Sequence, residues 1–86
     1  MQAREFAAAT LREHGEALQR YLRSRVYRPD DLGDLVQEVY LRLLRIRNHD
    51  EVLNPLAYVF GIAANVVSEF QMREHRERTV YDSELM

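Results

Sequence analysis

Cysteine, lysine and tryptophan are all absent from this 86-residue chain, and it holds only 3 glycines and 2 prolines. Without cysteine there is no disulfide, no thiolate nucleophile and no cysteine metal site. No stretch approaches the ~20 apolar residues of a membrane-spanning helix, so no membrane association is expected. The opening Met1-Gln2-Ala3-Arg4-Glu5-Phe6 lacks the apolar segment of a secretory signal. The expected compartment is cytoplasmic. What is present is 47% hydrophobic and 30% charged residues, enough to build one small domain around a modest core.

The formal net charge of −2 argues against nucleic-acid binding by bulk electrostatics alone. All 12 basic residues are arginine, which offers forked recognition of phosphate or carboxylate and stacks on rings. GC-rich coding is the simpler cause of that bias.

Hydrophobic spacing divides the chain into three helical blocks, with no repeat and no strand-like alternation of useful length. The first, 2–26, places Ala7, Leu11, His14, Leu18, Tyr21 and Leu22 on one face, with Gly15 as a weak point. The second opens at Pro29-Asp30-Asp31, where acids suit the positive end of the helix dipole. It carries Leu32, Leu35, Val36, Val39, Leu43 and Ile46 as its apolar stripe and closes through Arg42, Arg45 and Arg47. The third has Asn54 as N-cap and Pro55 at the first helical position. Its buried face is expected to be Leu56, Val59, Phe60, Ala63, Val66, Val67 and Phe70, continuing into charged Glu74, Glu77 and Arg78 that project beyond the core. The expected fold is all-α: a compact three-helix bundle, with one extra short helix as a variant. Residues 1–80 form the domain and 81–86 a tail.

The polar faces carry the functional signal. Opposite the core, helix two presents Asp34, Gln37, Glu38, Leu41 and Arg45. A lone surface leucine needs no explanation, but Leu41 among acids and a glutamine at helical spacing suits docking of a basic helical partner. Helix three presents Tyr58, Gly61, Asn65, Ser68 and Met72, with Arg73 and Arg76 further on. Two readings stand side by side. Tyr58 can stack a base, Asn65 can donate and accept, Gly61 permits close approach, and the arginines can meet phosphates. Alternatively this is a solvated face in which Glu69, Glu74 and Glu77 pair with those arginines.

Catalytic chemistry is missing. Asp30-Asp31-Leu32-Gly33-Asp34 spells the D-D-x-x-D pattern of magnesium–diphosphate sites, but 86 residues cannot enclose the cavity such a site needs. His14, His49 and His75 share no ligand spacing, and no nucleophile elbow or glycine-rich phosphate loop occurs. No catalytic residue, metal or cofactor is expected.

Two segments, Asp34-Leu35-Val36-Gln37-Glu38-Val39-Tyr40-Leu41-Arg42 and Asn54-Pro55-Leu56-Ala57-Tyr58-Val59-Phe60-Gly61-Ile62-Ala63-Ala64-Asn65, together resemble region 2 of bacterial sigma factors of the extracytoplasmic-function (ECF) group in the sigma-70 family. The resemblance covers roughly residues 6–78. It implies that the D-L-V-Q-E helix docks on the clamp helices of the RNA polymerase β′ subunit, through Asp34, Gln37, Glu38 and Leu41, with Arg45 on the same face. It further implies that helix three and the 47–53 loop, including Arg47, Asn48 and His49, capture the non-template strand of the promoter −10 element as a single strand. Asn65 then faces a flipped-out base, and Tyr58, Gly61, Ser68, Arg73 and Arg76 complete the DNA surface. Relatives also place an aromatic matching Phe60 in the melting region, whereas the periodicity assigns Phe60 to packing. Many relatives carry arginine at the position of Gly61 and a basic run at 71–76. An anti-sigma partner follows by resemblance only, and 81–86 reads as a tail or the start of a linker to a region 4 domain. The competing reading is a helical protein–protein adaptor without DNA binding.

Overall fold

The structure, a computed structural model, describes residues 2–85, with side chains from 2 to 77. Three helices run in order: α1 (Ala3–Arg23), α2 (Pro29–Leu44) and α3 (Pro55–Leu85), with a single 3₁₀ turn at His49–Glu51 before α3. This is the expected all-α three-helix bundle with its extra short turn. Each helix packs against the other two.

The local chemistry explains the boundaries. At the start of α2, Arg28 is extended, Pro29 occupies the first turn, and Asp30 and Asp31 fall in the same turn, where negative charge suits the positive end of the helix dipole. At α3, the Oδ1 of Asn54 accepts the backbone N–H of Ala57 at 3.1 Å, the expected cap. α2 ends at Leu44, short of the expected Arg47. The amides of Arg45 and Ile46 bond the carbonyls of Arg42 and Leu43, a tightened last turn from which Ile46 packs against the core.

The core is built by Leu18 and Leu22 of α1, Leu35, Val39 and Leu43 of α2, and Val59, Ala63, Val66 and Val67 of α3, with Phe6 and Ala7 beside them. Thr10 is the one buried polar side chain among the described residues, and its hydroxyl donates to the Phe6 carbonyl at 2.8 Å. Phe60 is half-buried and meets Tyr21 edge-on, with centroids 5.5 Å apart. Packing is therefore its observed role, as the periodicity requires. Leu56 corrects the expected face of α3: it is exposed, and Val59 is the first α3 side chain to be enclosed. The first turn of α3 precedes the point where α1 and α2 cover it.

α3 is 31 residues long, about 46 Å at 1.5 Å per residue, and the molecule measures 54 × 24 × 17 Å. The helix thus outruns the core, and its backbone continues through residue 80 without a break. The side chains of Arg78 and of residues 81–86, expected as a tail, lie outside the described residues.

Candidate nucleic-acid and polymerase interfaces

The loop between α2 and α3 closes one side of an open cleft of about 920 Å³. Arg45, Arg47 and Asn48 line it from the end of α2 and the loop, Glu51, Val52 and Leu53 from below, and Ala57 and Tyr58 from the first turns of α3. Capping by Asn54 fixes where α3 begins and so where Tyr58 stands. The cleft joins two guanidinium groups, the amides of Asn48 and Asn54, the Glu51 carboxylate and a half-exposed aromatic ring. That combination suits a phosphate on one side and a ring system on the other.

Not every expected residue reaches it. Arg45, expected on the docking face of α2, is the C-cap residue and lines this cleft. Asn65 lies two turns further along α3 and does not line it. It is exposed on the stripe of Tyr58, Gly61, Ser68 and Met72, all exposed as the periodicity requires. His49 turns away from the cleft: its ring stacks on Phe6, centroids 5.7 Å apart and planes 25° apart. Both its nitrogens are enclosed without a hydrogen bond, Nε2 lying 3.5 Å from Asp50 Oδ1. This histidine is a packing residue in the structure.

The face of α2 expected to dock is more constrained than the sequence suggests. Asp34, Gln37 and Leu41 are exposed, while Glu38 accepts from Arg42 Nε at 3.0 Å one turn on. Arg42 also pairs with Glu69 of α3, so one guanidinium ties both helices. The hydrogen bond to Glu69, then that to Glu38, holds the Arg42 guanidinium above its ordinary value.

Arg73 and Arg76 line a groove of about 590 Å³ between α2 and α3, opposite Asp34 and Glu38. Arg73 also sits 6.0 Å over the Phe70 ring. The arginines expected to meet DNA therefore border the acids expected to meet polymerase. Arg76 alone reaches a second groove as well, with Ser68 and Met72.

Two exposed side chains escaped the sequence reading. Leu53 at the cleft mouth is 96% exposed and Tyr27 in the α1–α2 turn is 95% exposed. For Tyr27 the signal was available, in the density of arginine and tyrosine through residues 20–28.

The all-helical domain thus offers one acidic helix face and one cleft bordered by arginines. Among the described residues no cluster of side chains could hold a metal ion, and no helix is long and apolar enough to cross a membrane. The chain belongs to the sigma-70 family: the sequence profile of Sigma-70 region 2 matches residues 10–77, most of its length. That family comprises transcription-initiation factors, which work with core RNA polymerase and promoter DNA, and is not a family of enzymes. No curated protein and no solved structure matches the chain.

Proposed function

We propose that this chain is region 2 of an ECF-group bacterial sigma factor acting in the cytoplasm, with residues 1–80 as the working domain. In this reading Asp34, Gln37, Glu38 and Leu41 dock on the β′ clamp helices. The cleft and the exposed stripe of α3 hold the −10 non-template strand once it is unpaired. Capture of an unpaired strand offsets the few kcal/mol needed to unstack a base, which is how binding becomes opening. The supporting observation is the cleft itself, formed by the loop that the resemblance assigns to strand capture and lined by Arg45, Arg47 and Tyr58.

Within this reading the division of labour among the residues shifts. Arg45 joins the DNA side, and His49 shapes the loop through Phe6 rather than touching a base. Arg73 belongs to the boundary between the two surfaces. The test is a pull-down of core polymerase with this chain, followed by sequencing of the single-stranded oligonucleotides it enriches. Enrichment of one short motif supports the reading. Core binding without any enriched motif, together with unchanged oligonucleotide affinity in Tyr58→Ala, would instead make the chain a protein adaptor.

A further inference from the structure

The turn between α1 and α2 carries a feature that neither proposed surface uses. Four of the chain's 12 arginines, Arg20, Arg23, Arg25 and Arg28, fall within nine residues, with no acid between Glu16 and Asp30. All four are exposed, and none forms an ion pair with a described residue. In a chain of net charge −2 this is a local concentration of unpaired positive charge. Among them stands Tyr27, 95% exposed.

The turn is anchored rather than loose. The Ser24 hydroxyl donates to the Tyr21 carbonyl at 2.6 Å, and the Arg25 amide donates to the Leu22 carbonyl at 3.0 Å. Arg25 lies 5.1 Å over the Tyr21 ring, which itself meets Phe60. Val26 packs against the core on one side of Tyr27, and Pro29 starts α2 on the other. The backbone on both sides of Tyr27 is thus anchored, with the phenol ring left exposed.

Its position links it to α3. A groove of about 320 Å³ separates Arg25 and Tyr27 from Gln71 of α3. Gln71 also borders the groove of about 290 Å³ that holds Ser68, Met72 and Arg76. The turn is therefore continuous with the exposed stripe of α3, at the end remote from Tyr58. We propose that Tyr27, with Arg25 and Arg28, is a second contact for nucleic acid, stacking an unpaired base and meeting the phosphates beside it. Arginines clustered around an exposed ring, with no acid among them, match the phosphate contact and base stacking that hold a single strand. The inference rests on α3 being the strand-holding face.

The distance sets the experiment. From Tyr58 to Gln71 is 13 residues, about 20 Å along the helix, or roughly six stacked nucleotides at ~3.4 Å each. Affinities of the chain are measured for a short −10 oligonucleotide and for two longer ones extended by about six nucleotides at either end. One extension should add affinity, and Tyr27→Ala should remove about tenfold from that oligonucleotide while leaving the short one unchanged. Tyr27→Phe, which keeps the ring, should bind like the wild type. Arg28→Gln should lower the salt slope on the longer oligonucleotide by about 0.7. An iodouracil placed in the extension should crosslink to Tyr27.

If Tyr27→Ala and Arg28→Gln bind every oligonucleotide like the wild type while Tyr58→Ala does not, the second contact is wrong and the α3 reading stands. If Tyr58→Ala and Asn65→Ala are silent as well, the α3 reading fails and this inference falls with it. Loss of core polymerase binding in Arg28→Gln, with DNA affinity intact, would overturn the proposal in favour of a protein contact.

Discussion

Arg42 of α2 bonds the carboxylate of Glu69 on α3 while its Nε bonds Glu38 on its own helix. The pair crosses the seam between the helix proposed to meet polymerase and the helix proposed to meet DNA. Glu38 is consequently a half-occupied acceptor rather than a free acid. Its value to a partner depends on whether Arg42 can be drawn elsewhere.

Removing that tie should change the interfaces more than the fold. Glu69 is more than half exposed, so water and salt screen the pair, and Glu69→Gln should cost about 0.5 kcal/mol or less. Affinity for core polymerase should fall, because Arg42 then neutralises Glu38 alone. Urea denaturation and a core-binding titration check the two parts. A variant that loses several kcal/mol would show the bridge to be structural.

Phe60 and Tyr58 should separate stability from function. Phe60 is half-buried against Tyr21, and Phe60→Ala should cost about 2–4 kcal/mol through lost packing. Tyr58 is 41% exposed at the cleft, and Tyr58→Ala should cost less than about 1 kcal/mol while weakening oligonucleotide binding. Denaturation midpoints decide this. A stable Phe60→Ala variant with a selective opening defect would give Phe60 the melting role instead.

The His49 ring is enclosed against Phe6 with neither nitrogen hydrogen-bonded. His49→Phe keeps the stack and removes two unsatisfied polar atoms, so stability should hold or rise by about 1 kcal/mol. Binding of −10 oligonucleotides should be unchanged. Lost stability would mean that the nitrogens find partners within the fold, and a changed base preference that they find partners on DNA.

Gly61 is exposed on the α3 stripe, and a Cβ there would meet nothing within 4 Å. Gly61→Arg should therefore stabilise the helix by about 0.5–1 kcal/mol and tighten oligonucleotide binding, with a steeper salt dependence. Thermal unfolding and anisotropy at two salt concentrations test both effects. Unchanged affinity would place DNA away from this stripe.

The helix starts were legible because they depend on residues next to one another: Pro29-Asp30-Asp31 and the Asn54 cap declare themselves locally. Faces were legible too, since period alone separates Val59 and Val66 from Tyr58 and Asn65. The neighbours of each face were not. Whether Arg73 points to α2 or to open solvent depends on how the helices pack, and the Arg42–Glu69 bond joins residues 27 positions apart. The same limit hid the exposure of Leu56, which period places inside but the bundle does not yet cover. The ring of His49 likewise takes its direction from Phe6, at the far end of the chain.

The most direct test of the two-surface account is the affinity of the core polymerase–chain complex for single-stranded −10 oligonucleotides varied one base at a time, with wild type and Asn65→Ala compared. A base read by hydrogen bonds from the exposed α3 stripe is discriminated by about 1–3 kcal/mol, a roughly ten- to hundredfold preference at one position. The account predicts that this preference collapses in Asn65→Ala while core binding and the preferences at other positions persist. An unchanged profile in Asn65→Ala, or a wild-type complex with no base preference at all, would contradict it.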